Sequence, residues 1–384
     1  MDDSDTNATF RQAVALALLR DQLRPGTAAR VAKSAPRSED GGPRIGNGPD
    51  ALSSLAGLAR PERQALASFS EWDAVDREIE RARTLGVTLM PLTHPSYPPL
   101  LAEIHDPPAL LYLRGDLTDG DRHALAIVGS RHASRYGLSA ARGFAKQLAR
   151  AGLTIVSGLA HGIDQAAHEG ALEAEGRTVA VLGCGIDVDY PARGGALRDR
   201  IAARGAVLSE FPFGTVPFKS NFPVRNRVVS GLARGVLVVE AARSSGSLIT
   251  ARAALDQGRE VFAVPGPIDQ QSFAGCIDLL RQGAHVAGAP SHILEDLKLD
   301  GGTLELPLAA PAAALPPRQL STRETAARQV LAAIALTPVT FDALLARTGL
   351  DPTAAAAVLL DLELDGLVLR SSDGTYTAHD PFAG

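Results

Sequence analysis

The sequence predicts a doubly wound α/β fold, and two observations carry this prediction. From residue 124 onward, short apolar runs alternate with helical patterns; the runs include LAIVGS, LTIVSG, TVAVLGCG and GVLVVEA. Each run is nearly continuous in Val, Ile and Leu, which indicates strands that are covered on both faces. Such strands occur in parallel sheets whose crossovers are helices, so we expect that architecture here. With 384 residues, of which 45% are hydrophobic, the chain has room for two or three domains.

The region before this core, residues 1–90, contains amphipathic helical stretches such as RQAVALALLRDQL and EWDAVDREIERARTLG. They are interrupted by SAPRSEDGGPRIGNGPD, which cannot bury enough apolar surface to order itself. We therefore predict a small helical module with a flexible insertion near residues 33–50. Residues 91–120 contain many prolines, and we expect a fixed, extended connection there rather than a regular element.

After the core, residues 301–320 are rich in Ala, Pro and Leu and predict a linker. Residues 321–384 give three helical stretches and a hairpin around Asp373 and Gly374, a pattern that resembles a winged helix. Residues 351–366 contain no basic residue and four acidic ones: Asp351, Asp361, Glu363 and Asp365. A phosphate backbone would repel a recognition helix of that charge, so we expect this module to contact protein or to regulate.

Small-residue turns end nearly every predicted strand of the core. They are Gly129-Ser130, Ser157-Gly158, Gly183-Cys184-Gly185, Ser244-Ser245-Gly246-Ser247 and Pro265-Gly266. In doubly wound sheets the ligand crevice lies beyond the carboxyl ends of the strands, where helix N-terminal N–H groups favour anions. The set predicts a phosphate-lined crevice, although any single turn could need Gly and Ser only for backbone geometry and capping.

Several ligand classes are excluded on motif grounds. No GxxxxGK[ST] occurs, which excludes a P-loop nucleotidase, and GCGIDV lacks the third glycine of a dinucleotide-binding fingerprint. Cys184 and Cys276 lack metal-ligand spacing, so we expect packed side chains, no metal and no cofactor.

The start of the chain has no secretory signal, and no apolar run approaches the length of a membrane span, so we expect a cytoplasmic protein.

One segment differs from the acidic whole. The formal net charge is -5, yet residues 211–239 contain no acidic residue and four basic ones: Lys219, Arg225, Arg227 and Arg234. Four phenylalanines also lie there: Phe211, Phe213, Phe218 and Phe222. Basic side chains interleaved with aromatic rings on an irregular loop suit single-stranded nucleic acid, because cations neutralise phosphates while unstacked bases lie on rings. We expect Phe211 and Phe213 to pack at the sheet edge and Phe222 to stack on a base; the alternative for the arginines is simple solvation.

Five sequence blocks in this order and spacing resemble the DNA-processing protein A family, also called the Smf family. They are GSRHASRYG, VSGLAHGIDQAAHEGAL, VLGCGIDVDYP, SEFPFGTVPFKSNFPVRNRVVSGLA and EAARSSGSLITARAALDQGREVFAVPG. The segment YPPLLAEIHDPPALLYLRG resembles the start of that family's core domain, and the N-terminal helices resemble its sterile-alpha-motif-like module less distinctly. The resemblance implies an extended Rossmann-like core over residues 91–300.

The resemblance also implies a function. It implies a homodimer that binds single-stranded DNA without sequence preference and loads the RecA recombinase onto it in natural transformation, by binding rather than by catalysis. Carried onto matching positions, the family's motif residues fall on Arg131, Lys219, Phe222, Arg225, Asn226 and Arg227. One position departs from the family, because Ile277 stands where an Asn is expected.

The predicted site combines these residues with the turns. It comprises Arg131, Lys219, Phe222, Arg225, Asn226, Arg227, Gly129, Ser130, Ser157, Gly158, Ser245, Gly246 and Ser247. Backbone N–H groups of the turns would contact phosphates, the cations would supply charge, and Phe222 would hold a base, worth about 1–3 kcal/mol. About four neutralised phosphates predict that log affinity falls with log salt at a slope near -3.

Two other classes of function stay open. Related Rossmann-like folds include phosphoribohydrolases that cleave nucleoside monophosphates, and Asp164, Asp187 and Glu240 lie near the predicted crevice. However, the PGGxGTxxE signature is missing, and His161 and His168 lack a triad-like Ser or Cys, which favours capping or packing roles for both. A transcription regulator acting through the C-terminal module is the other alternative, which the acidic helix disfavours.

Overall fold

A computed structural model describes residues 3–34, 58–192, 194–298, 322–334, 339–364, 368–371 and 374–378. The chain divides into two compact units, Met1–Leu306 and Pro307–Gly384. The predicted linker and all but the first two residues of the predicted insertion lie outside the described residues.

The N-terminal helices of the first unit are α1 (Asp3–Leu18), α2 (Thr27–Ser34), α3 (Arg60–Ala67) and α4 (Trp72–Leu85). They share a hydrophobic core with the sheet, since Val14 and Leu16 of α1 cluster with Tyr112 and Val207. The helical module is therefore packed into the same compact unit as the core.

A nine-stranded sheet forms the centre of this unit. Its strands are β1 (Thr88–Pro91), β2 (Leu110–Gly115), β3 (Ala124–Val128), β4 (Thr154–Ser157), β5 (Thr178–Val181), β6 (Ala206–Ser209), β7 (Gly235–Val238), β8 (Glu260–Ala263) and β9 (His285–Val286). The order is β1-β2-β6-β5-β4-β3-β7-β8-β9, and every pair from β6 to β9 is parallel. The predicted doubly wound, mostly parallel sheet is confirmed.

The prediction of an extended connection over residues 91–120 was wrong. Residues 91–120 are more than an extended connection, because β2 pairs antiparallel with both β1 and β6 and so extends the sheet. The prolines that suggested a connection flank the strand, at Pro107 and Pro108 on its near side, and leave residues 110–115 free to pair.

Helices cover both faces of the sheet. After the short α5 (Pro99–Ala102) they are α6 (Arg135–Arg150), α7 (Ile163–Glu173), α8 (Gly195–Arg204), α9 (Asn221–Gly231), α10 (Ser247–Asp256), α11 (Ala274–Arg281) and α12 (Pro290–Asp296). Along β3, Leu125 and Ile127 pack with α6 and α7, whereas Ala126 and Val128 pack with α9 and α10. Burial on both faces explains the continuous apolar runs.

The second unit contains α13 (Thr322–Ile334), β10 (Val339–Thr340), α14 (Phe341–Thr348), α15 (Pro352–Leu364), β11 (Val368–Arg370) and β12 (Thr375–Ala378). Its strands pair antiparallel in the order β10-β12-β11, and its helices enclose a separate apolar core. The predicted winged helix is confirmed, although Asp373 lies outside the described residues. No single described helix is long and apolar enough to span a membrane; α14 and the adjoining Pro352–Glu363 would be so only together, across a 111° bend.

Candidate nucleic-acid interface

A crevice of about 550 Å³ opens at the carboxyl ends of the central strands. Strands β4, β5 and β6 follow one another on one side of β3, and strands β7, β8 and β9 follow one another on its other side. The strand order therefore reverses at β3. The loops that follow β3, β4 and β7 line the crevice together with α9. This is the place where open α/β sheets bind ligands, because neighbouring loops diverge there.

The crevice gathers eleven of the thirteen residues predicted from the sequence. These are Gly129, Ser130, Arg131, Gly158, Lys219, Phe222, Arg225, Asn226, Ser245, Gly246 and Ser247. Ser157 and Arg227 do not line it. Ile277, the departure from the family pattern, lies on α11 and is also absent from the crevice lining.

Arg131 and Phe222 meet across the crevice. The guanidinium carbon of Arg131 lies 4.8 Å from the centroid of the Phe222 ring, and the Tyr190 ring lies 5.5 Å from the same ring. Phe222 also packs directly on Gly183, where an added Cβ would lie 2.9 Å from the ring atom Cδ1. A side chain at position 183 would therefore displace the ring, so glycine is needed for this close approach.

Arg225 forms the floor of the crevice. It is 4% exposed, and its Nη1 donates to the Gly158 carbonyl at 2.6 Å and to the Val181 carbonyl. Burial lowers the pKa of this guanidinium, an effect that neighbouring Asp164 opposes. An added Cβ at Gly158 would lie 2.4 Å from Arg225 Nη1, so glycine makes room for the guanidinium. Arg225 thus has structural partners and differs from the exposed cation that the sequence suggested.

Arg227 lies on the other side of α9. Its Nε donates to Asp106 at 3.0 Å and its Nη2 donates to Glu210 at 2.7 Å. Positions two apart on a helix do not share a face, so Arg225 and Arg227 cannot both face the crevice. Ser157 is also turned away, since its buried hydroxyl donates to the Ile127 carbonyl at 2.6 Å.

Among the described residues that line the crevice, two are exposed cations, Arg131 and Lys219. Among the described residues that line it, Asp164 is the single acid. That carboxylate is buried and accepts from the backbone N–H groups of Gly158 and Ala160, at 3.1 and 3.3 Å. Burial raises the pKa of Asp164, which is opposed chiefly by Arg225. The solvent-facing part of the crevice is therefore positively charged.

The serine-rich turn before α10, residues 244–247, forms another part of the crevice wall. Ser245 Oγ lies 2.7 Å from Ser247 Oγ, and Asn226 Nδ2 of α9 donates to the Gly246 carbonyl at 3.4 Å. Asn226 thus ties α9 to the turn. Because residues 244–247 border the crevice at the start of a ten-residue helix, the positive end of that helix dipole lies beside it.

Sequence reasoning missed several lining residues. They are Val128, Ala160, Pro223, Val229, Ala242, Ile249 and Thr250. Two further lining residues, Ser244 and Asp164, had been placed at the predicted crevice, but not among its DNA-binding residues. Helical spacing was a usable signal for two of the missed residues, because Thr250 follows Ser247 by three positions on α10 and Val229 follows Asn226 by three on α9.

The carboxylates of the hydrolase alternative have structural partners. Glu240 is buried and accepts from the Ser134 hydroxyl at 2.7 Å and from its backbone N–H, which fixes the start of α6. Asp187 accepts from Arg81 at 2.7 Å and from the Gly214 N–H at 2.9 Å. His168 is buried against Thr178 and His161 is exposed, and neither lines the crevice.

Comparison with known proteins identifies similarities along most of the chain. Residues 88–298 match the family model for DNA recombination-mediator protein A, and residues 310–374 match the DprA winged helix domain. Protein Smf of Synechocystis is 39% identical over 309 residues, covering 73% of this chain and 78% of the relative. The DNA processing protein DprA of Bacillus subtilis is 42% identical over 248 residues, covering 63% and 84%. The X-ray structure of DNA processing protein A from Streptococcus pneumoniae aligns with a TM-score of 0.58 at 37% identity, over 65% and 86% of the two chains.

Proposed function

Because the chain belongs to the DNA recombination-mediator protein A family, we propose that it binds single-stranded DNA, without base preference, in the crevice at the topological switch point. The observation that carries this proposal is the pairing of an aromatic ring, Phe222, with two exposed cations, Arg131 and Lys219, on its walls. Every base has a π-face, so stacking on a ring tolerates any sequence.

The binding step follows from the geometry of Arg131 and Phe222. In the free protein the guanidinium covers the ring, an arrangement worth about 0.5–1 kcal/mol at an exposed site. An entering base takes the ring face, which gains about 1–3 kcal/mol of stacking, and Arg131 turns to the adjoining phosphate. Exchange of the weaker contact for the stronger one favours the bound state.

The dipole of α10 adds to the attraction for phosphates. The N–H groups of Ser130 and Ser245 already donate to the Glu240 and Ala242 carbonyls, at 2.7 and 2.9 Å. The N-terminus of α10, which borders the crevice, favours negative charge. Duplex DNA is read by a helix or ribbon inserted into a groove. A concave crevice between loops suits an extended single strand instead.

The structure revises the expected salt dependence. With Arg225 and Arg227 engaged in internal contacts, two exposed cations remain in the part of the crevice that the structure describes. At about -0.7 per phosphate, the slope of log affinity against log salt becomes about -1.4 instead of -3. Intrinsic affinity is then modest, and we propose that a homodimer with two crevices supplies tighter binding through effective concentration. Sedimentation of the protein across concentration tests that dimer.

We further propose that the bound strand is passed to the RecA recombinase in the cytoplasm. The family description, a recombination mediator, supports this step. The test is strand exchange by RecA on DNA that is coated with a single-strand-binding protein. Adding the present protein should shorten the lag before strand exchange begins, and an unchanged lag would contradict the proposal.

Fluorescence anisotropy tests the binding proposal itself. Oligo-dT and mixed-sequence single strands of equal length should bind alike, and the matching duplex should bind at least tenfold more weakly. Equal affinity for the duplex would overturn the proposal. Incubation with nucleoside monophosphates tests the hydrolase alternative, and release of free base above the background rate would favour it.

A further inference from the structure

Phe218 lies just outside the crevice, one residue before Lys219 on its rim. The side chain is 61% exposed, and that of neighbouring Val216 is 48% exposed. Single exposed apolar residues are common on protein surfaces and by themselves indicate nothing. Phe218 differs in two respects: its backbone is fixed, and it adjoins a residue of the proposed DNA site.

Hydrogen bonds hold the turn that carries Phe218. The N–H of Asn221 donates to the Phe218 carbonyl at 3.0 Å, and the N–H of Phe218 donates to the Val216 carbonyl at 3.0 Å. The Asn221 side chain donates to the same Val216 carbonyl at 3.3 Å. One residue earlier, the Thr215 carbonyl accepts from Gly185 N–H at 2.9 Å. Because the turn is already ordered, binding to its ring loses little conformational entropy.

Resting on the proposed function, we propose that Phe218 and Val216 form a second base-stacking subsite, for the nucleotide next to the one held at Phe222. The order along the chain is ring, cation and ring: Phe218, Lys219 and Phe222. Lys219 then neutralises the phosphate between two stacked bases. This subsite lengthens the bound strand beyond the crevice without adding base specificity.

A base fits this surface better than a protein partner does. The patch consists of two side chains, whereas a stable protein interface covers about 800 Å² on each partner. Lys219 and Ser220, which follow it, are both exposed and polar. In the described part of the chain, no aromatic ring or guanidinium stacks on Phe218, so its ring is available to a nucleobase.

Substitutions separate stacking from simple apolar contact. Phe218→Ala and Phe218→Leu should each weaken binding of a twelve-nucleotide oligo-dT about fivefold or more by anisotropy, since one stacked base is worth that much or more. Phe218→Tyr should bind as the wild type does, because it keeps the ring. Leu255→Ala is the matched control, since Leu255 is 59% exposed on α10 and lies outside the crevice lining. Retained affinity in Phe218→Ala, with normal binding by the wild type, would overturn the subsite and leave the proposed function intact.

A fluorescent reporter gives a second readout. The chain has one tryptophan, Trp72, so Phe218→Trp in a Trp72→Phe background places the single indole at the subsite. Oligo-dT should quench this emission, whereas Leu255→Trp in the same background should stay unquenched. Quenching that depends on protein concentration without DNA would contradict the subsite and indicate a contact between copies of the chain. Failure of the wild type to bind any single strand would instead contradict the proposed function.

Discussion

The guanidinium of Arg131 lies over the Phe222 ring, with its central carbon 4.8 Å from the ring centroid. The two residues lie on different elements, the loop after β3 and the first turn of α9, and they meet at the point where the sheet topology reverses. Charge and stacking are thereby coupled in one contact.

Removal of the Phe222 ring should weaken binding without altering its salt dependence. Phe222→Ala should lower oligo-dT affinity roughly 5- to 150-fold, the equivalent of about 1–3 kcal/mol of lost stacking. The slope against salt should stay within error of the wild type, because no phosphate contact is lost. Anisotropy titrations at several salt concentrations measure both quantities. Phe222→Tyr is the control, and equal loss in both variants would argue against stacking.

The substitution Gly183→Ala should displace the Phe222 ring and thereby weaken DNA binding. The added Cβ would lie 2.9 Å from Phe222 Cδ1 and 3.1 Å from Cε1, so the ring must shift. We expect a several-fold loss of oligo-dT affinity. Gly195→Ala is the matched control, because nothing lies within 4 Å of a Cβ at that position. Binding by the Gly183 variant at the level of this control would show that the ring position is unimportant.

Arg225 should contribute to stability more than to direct DNA contact. Arg225→Ala removes the guanidinium beside buried Asp164 and leaves the Gly158 and Val181 carbonyls without this donor. Leaving buried acceptors without their donor typically costs about 1–3 kcal/mol. Urea unfolding should show a loss of that order, whereas Lys219→Ala should stay within about 0.5 kcal/mol of the wild type. Adding Asp164→Asn to Arg225→Ala should recover part of the loss. Equal stability of the Arg225→Ala and Lys219→Ala variants would refute the structural role given to Arg225.

His168 should make stability depend on pH. Burial lowers the pKa of its imidazole to about 3, from an unfolded value of about 6.5. Between these values the unfolded chain binds a proton that the folded chain does not, so the free energy of unfolding falls as pH decreases from 6.5 toward 3. The slope from this residue is about 1.4 kcal/mol per pH unit. Urea unfolding at pH 7, 6 and 5 measures it.

His168→Leu provides the comparison for that slope. The Thr178 hydroxyl donates to the Ile155 carbonyl at 2.8 Å and so keeps a partner after the substitution. The variant should lose stability less steeply below pH 6.5 than the wild type does. Parallel curves for the two proteins would contradict the role given to His168.

The sequence predicted the sheet well because burial on both faces leaves a strong local pattern. Leu125 and Ile127 pack on one helical layer, and Ala126 and Val128 pack on the other, so every position of β3 is apolar. β2 was missed because flanking prolines dominate its region, and its antiparallel pairing with β6 depends on residues almost a hundred positions away.

At the site, residue types were predictable and their orientations were not. Local charge identified both Arg225 and Arg227, yet Asp106 and Glu210, the partners that draw Arg227 away, come from other parts of the chain. The spacing of two on a helix was the available signal that only one could face the crevice. Similarly, nothing local indicated that Ser157 would bond to the Ile127 carbonyl of the adjacent strand.

The salt dependence of binding tests the central claim most directly. Anisotropy with an oligo-dT of about six nucleotides, short enough for one crevice, should give the wild type a slope of log affinity against log salt near -1.4. Arg131→Glu and Lys219→Glu should each reduce that slope by about 0.7 and weaken binding at low salt. Arg77→Glu, a reversal at an exposed position on α4, should match the wild type. Unchanged slope and affinity in both crevice variants would contradict the assignment of single-stranded DNA to this crevice.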